Sequence, residues 1–147
     1  MAANPNHHRL QFLAMAAYPR FGMNKIIKIG RDGVGAGALE KCSVVPAEAI
    51  LSGFASELGA IHIERSDGAL VIGTWQSTPY AEMLSYPGGT EYSVILSGKV
   101  AITNPDGTVE TFGAGESYIL PAGIEVRFEV LETMRKVYVL FTEKPVH

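Results

Sequence analysis

From residue 60 onward the sequence alternates short apolar segments with tight-turn residues, leaving no room between them for a full helix. The segments are AIHIER, ALVIGTW, YAEMLSY, EYSVILS, KVAITN, TVETF, SYIL, IEVRFEV and RKVYVLF. Between them fall SDG, STP, PGG, NPDG, GAG, PAG and LETM, the residues that turns require. In NPDG, Pro105 presets a turn, Asp106 tolerates it and Gly107 can take positive φ. So regular a punctuation predicts an all-β sandwich or barrel.

The 147 residues suit a single domain, divided here into a variable leader at 1–22 and a domain at 23–147 with its motif region at 70–142. Net charge is −3 and neither sign forms a run, which argues against a nucleic-acid or anionic-membrane surface. No apolar run reaches the roughly eighteen residues of a membrane helix. LQFLAMAA in the leader resembles a short export signal, but Gln11 interrupts it and Arg9 is the one firm positive charge before it. A soluble, cytoplasmic protein is expected. His7 and His8 read as solvated. Cys42 is the one cysteine, which excludes an intrachain disulfide, and it reads as a small apolar residue rather than a nucleophile.

Upstream of residue 60, KIIKI (25–29) has a strand pattern and GRDGVGAGALEK follows as a glycine-rich loop. Gly33, Gly35 and Ala38 fit a GxGxxA dinucleotide fingerprint in form. That motif needs a full helix behind it, and Pro46 breaks the chain too soon. PAEAILSGFASELG holds one or two helical turns. In IEVRFEV, parity puts Ile124, Val126, Phe128 and Val130 inside and Glu125, Arg127 and Glu129 outside. EYSVILS places Ser93 and Ile95 with Glu91, and Tyr92, Val94 and Leu96 opposite. Both faces read as covered, the outer one by the N-terminal segment or a second subunit.

The spacing from Glu91 to Gly98 and from Gly115 to Pro121, Ala122 and Gly123 resembles the end of the first cupin motif and the start of the second. With GTWQSTP, EYSVILSGKVAIT, TFGAGESYILPAG and ETMRKVYVLF, residues 44–142 are similar to the small single-domain cupins grouped with (S)-ureidoglycine aminohydrolase and the ethanolamine-utilisation cupins. The resemblance implies a jelly-roll β-barrel, commonly a homodimer, with a ligand site inside the barrel mouth. It also implies where metal-binding histidines would stand. Those places fall on Leu84 and Tyr86, or Ser85 and Pro87, and on Val126. Three of the four ligands are absent, so neither metal nor other cofactor is expected.

A carboxylate at position 91, facing an apolar interior, must be paired or protonated. Candidate donors are Lys136, Arg127, Lys99, the Trp75 indole and the hydroxyls of Tyr86 and Tyr118. Parity turns Arg127 outward and leaves the face of Lys136 open. The reading is a metal-poor cupin holding a small polar, nitrogenous metabolite, lined by Trp75, Tyr86, Glu91, Tyr118 and Phe128. Glu91 would act as acid or base in hydrolysis, isomerisation or lyase chemistry. The alternatives are a non-catalytic binding or accessory module, and a metalloenzyme using the oxygens of Glu82, Tyr86 and Glu91. Trp75, Tyr86 and Tyr118 also read as plain core residues, and Glu91 as half of a structural pair.

Overall fold

The computed structural model describes residues 25–143, so the leader, His7, His8 and His147 lie outside the described residues. The strands are β1 Glu40–Cys42, β2 Ile50–Gly53, β3 Glu57–Glu64, β4 Leu70–Ser77, β5 Tyr80–Leu84, β6 Gly89–Thr103, β7 Val109–Gly113, β8 Ser117–Leu120 and β9 Val126–Thr142, with one 3-10 turn at Ala47–Ala49. Every pairing is antiparallel.

Two long strands carry the architecture. On one edge β9 pairs first with β5, Val126 facing Leu84, and then with β4, Lys136 facing Trp75. Its other edge runs along β6, from Arg127 against Thr103 to Thr142 against Gly89. β6 in turn carries β8 on its first half and β7 on its second. One sheet is therefore β1-β3-β4-β9-β6-β8 and the other β2-β5-β9-β6-β7. Both pass through the same two strands, which bend where the sheets meet, and the result is a jelly-roll β-barrel.

The bend has a local cause. Gly98 has φ +81°, and a Cβ there would lie 2.1 Å from the Thr133 carbonyl oxygen. The β6–β9 register shifts on both sides of it, as at a bulge, without ending the ladder. EYSVILS and KVAITN are thus one strand, and so are IEVRFEV and RKVYVLF; LETM bends a strand rather than turning between two. In β6 the buried side chains are Glu91, Ser93 and Ile95 before Gly98 but Val100 and Ile102 after it, so the bulge inverts parity.

Other expectations divide. SYIL forms β8 with its expected bounds. NPDG turns as expected: Gly107 donates to the Asn104 carbonyl, and Asp106 Oδ1 accepts from the Thr108 amide and hydroxyl. KIIKI forms no strand, since alternation cannot supply a pairing partner, and Ile26 is 97% exposed. β1 arises inside the stretch read as loop because Glu40–Cys42 finds the edge of β3. Only the single 3-10 turn forms after Pro46, and β2 follows at once.

Val126, Phe128 and Val130 are buried as parity requires, in a core with Leu84, Ile95 and Met134. The outer face is less uniform than expected. Gly33 packs on it so closely that a Cβ would meet Thr74 and Leu96 within 2.8 Å, which explains the glycine without any nucleotide. At the other end Tyr92, Ile119 and Phe141 stay exposed.

Candidate functional site

Inside the barrel β9 presents Met134, Lys136, Tyr138 and Leu140, all buried, while Arg135, Val137 and Val139 face outward. Lys136 is therefore carried into an apolar interior, where an ammonium needs a partner. It donates to Glu91 Oε2 at 3.1 Å and to the Tyr118 hydroxyl at 2.9 Å. The Tyr86 hydroxyl donates to Glu91 Oε1 at 3.1 Å. Side-chain exposure is 5% for Lys136 and 3% for Glu91, so the pair is almost wholly removed from water.

Aromatic rings complete the shell. Lys136 Nζ lies 5.3 Å from the ring centres of Trp75 and Phe128 and 5.5 Å from that of Tyr118, within cation–π range of all three. Burial pushes the Tyr118 phenol well above its usual range, and the negative charge of Glu91 adds to the effect. The Tyr138 phenol is raised by burial first and by Glu91 second. Both remain hydroxyl donors across the physiological range.

Trp75, Tyr86, Glu91, Phe128 and Lys136 line a pocket of about 330 Å³, counting its open mouth. The closed part has room for about one water molecule beyond the side chains. Of the five residues expected at the site, Trp75, Tyr86, Glu91 and Phe128 line the pocket. Tyr118 is not in the lining and contacts Lys136 instead.

One wall hangs on a residue that sequence reasoning missed. Buried Glu57, at the start of β3, accepts from the Trp75 indole at 2.9 Å, the Val44 amide at 3.0 Å and the Val45 amide at 3.3 Å. Trp75 is thus the partner of Glu57, not of Glu91, and Val44, another lining residue, is held by the same carboxylate. Nearby, burial and then the Glu57 charge push the half-buried Cys42 thiol up to about 12, which suits the inert role expected of it.

Lys136 was one of several possible partners, and its signal was present. Even-numbered residues of β9 point inward from Val126 to Thr142, interrupted only at the exposed Glu132. Reading LETM as a turn broke that count.

The donors do not suit a cupin metal. The places for histidine hold Leu84, Ser85, Tyr86, Pro87 and Val126, and Glu91 already faces an ammonium. Of the oxygen set Glu82, Tyr86 and Glu91, the last two line the pocket, whereas Glu82 is not in the lining and accepts from the Tyr80 hydroxyl. No group of three or more His, Cys, Asp or Glu side chains converges among the described residues. His62 bonds Thr74 Oγ1 at 2.8 Å, and burial lowers its pKa.

A jelly roll with its polar cluster inside the barrel defines the cupin class. Residues 64–138 match the EutQ-like cupin domain, and the chain belongs to that family. Among solved structures, a protein of unknown function from the DUF861 family of Pseudomonas syringae pv. tomato has TM-score 0.66 at 20% identity, over 76% of this chain and 46% of that one. The ethanolamine utilization protein EutQ of Salmonella typhimurium has TM-score 0.54 at 17% identity, over 83% of this chain and 94% of that one. Ectoine synthase from P. lautus has TM-score 0.52 at 16% identity, over 58% of this chain and 64% of that one. This chain spans about half the length of the first of these structures. Comparison with curated proteins gave no match. No helix among the described residues is long and apolar enough to cross a membrane.

Proposed function

We propose that this cupin binds a small polar molecule of zero net charge at the Glu91–Lys136 pair. The observation that carries this reading is the pair itself, a carboxylate and an ammonium 3.1 Å apart in one buried pocket. An amine cation would bring a second positive charge beside Lys136, and an anion a second negative charge beside Glu91. Either costs several kcal/mol in a site shielded from water. A molecule with its own donor and acceptor, such as an amide or an amino-acid zwitterion, matches both partners. The nitrogenous ligand expected from the sequence is thereby narrowed to neutral forms.

In the resting pair both carboxylate oxygens accept hydrogen bonds, from Tyr86 and Lys136, so Glu91 meets a ligand as half of the pair and its nearest proton-exchange partner is Lys136. Trp75, the one tryptophan, lines the pocket and reports on it directly. Titration with acetamide, glycine, ethylamine and acetate should change Trp75 fluorescence saturably for the first two. Glu91→Gln should weaken that response about tenfold or more. A response to ethylamine or acetate alone, or to none of the four, overturns the reading.

A homodimer in the cytoplasm belongs to the same proposal. Tyr92 and Ile119 are cross-strand neighbours on the outer face and Phe141 lies one strand away, an exposed apolar group of the kind a second copy covers. Sedimentation should give a dimer that Ile119→Lys dissociates; a monomeric wild type removes this part.

A further inference from the structure

We infer that Lys136 is a covalent carbonyl-capturing amine, forming an iminium with a small uncharged aldehyde or ketone that enters the pocket. The inference rests on the proposed binding of small neutral polar molecules and names a reactive class among them. Lys136 is the primary amine in the lining, it is only 4% exposed, and three aromatic rings surround its nitrogen. Burial away from water favours the neutral, nucleophilic amine once Glu91 has taken its proton, against the cation–π attraction by which the rings hold the ammonium. Glu91, at 3.1 Å, is placed to discharge it. The one thiol, Cys42, is absent from the lining. The roughly 330 Å³ of the pocket, counting its open mouth, limits the carbonyl compound to a small one whose body lies toward the mouth.

The proton and electron balance closes within the pair. Glu91 takes one proton from the Lys136 ammonium, and the freed nitrogen lone pair attacks the carbonyl carbon. The carbonyl π electrons move to oxygen, which ends as a hydroxyl after proton transfer through Glu91, giving a neutral carbinolamine and a protonated Glu91. The nitrogen lone pair then forms the C=N bond as the C–O bond breaks, and the hydroxyl leaves as water with the Glu91 proton. Overall, ammonium and carbonyl give iminium and water, and Glu91 returns to carboxylate. Nitrogen carries one positive charge in the starting ammonium and again in the iminium, with a neutral carbinolamine and a neutral Glu91 carboxyl between them, so the buried carboxylate has a cationic partner in the product as in the resting pair. The Tyr86 hydroxyl, bonded to Glu91 Oε1, holds the carboxylate in place while it shuttles the proton.

The test is reductive trapping of the full chain with propionaldehyde and sodium cyanoborohydride, read by peptide mass mapping. Lys136 should be propylated at least about tenfold faster than the exposed Lys25, Lys28, Lys41 and Lys99, with saturation in aldehyde and protection by acetamide. Lys136→Arg keeps the charge and should fold by circular dichroism while losing the fast adduct. Glu91→Gln should slow trapping about tenfold. Labelling confined to the exposed lysines, with acetamide still changing Trp75 fluorescence, overturns the inference and leaves the binding reading standing. The same labelling with no fluorescence response overturns both.

Discussion

Lys136 Nζ and Glu91 Oε2 meet at 3.1 Å across the barrel interior, 45 residues apart in sequence and almost fully buried. Because each partner neutralises the other where water cannot, the two side chains form a single element of structure. Losing either one strands a charge.

Lys136→Met should therefore destabilise the protein by about 3–5 kcal/mol in urea unfolding, and Glu91→Leu by a similar amount. The double variant should recover most of the loss, because neither charge of the pair remains to be stranded. Additive losses in the double-mutant cycle would show that the two are not energetically coupled.

Glu57 is expected to fix the pocket wall through Trp75 and the Val44 and Val45 amides. Glu57→Ala leaves those donors unpaired and should cost about 2–4 kcal/mol, with red-shifted Trp75 emission as water reaches the indole. An unchanged emission maximum in the folded variant would mean that the ring is held by packing alone.

Gly98 and Gly107 both have positive φ, but their surroundings differ. A Cβ at Gly98 collides with the Thr133 carbonyl oxygen and Met134 Cα, whereas one at Gly107 meets nothing within 4 Å. Gly98→Ala should cost more than about 3 kcal/mol and Gly107→Ala about 1 kcal/mol. Equal shifts in Tm would contradict the bend described for β6.

Alkaline pH should weaken the fold. Cys42 is raised to about 12 from its ordinary 9.0, and Tyr118 and Tyr138 are raised as well. Groups with raised folded values stabilise fully below their unfolded pKa, and the contribution fades as pH climbs toward the folded one. Stability should thus fall progressively from about pH 9 upward. Thermal melts between pH 8 and 11 check this, and Tyr138→Phe should flatten the decline. A flat profile for the wild type would refute it.

The sequence alone determined the local grammar of this chain. Turn chemistry placed NPDG and the bounds of SYIL, parity placed Val126, Phe128 and Val130 in the core, and the motifs around Glu91–Gly98 and Gly115–Gly123 carried a resemblance to the cupins. These signals lie within a few residues, where backbone preferences and side-chain alternation act. Tertiary structure decided which segments were continuous and which groups met. The ladder between β6 and β9 carries both strands through bends that read as breaks, and the bulge at Gly98 resets which side chains of β6 face inward. Register between distant strands then brought Lys136 to Glu91, and the start of β3 brought Glu57 to Trp75. Such pairings depend on cross-strand hydrogen bonds and shared burial, which no short window of sequence contains.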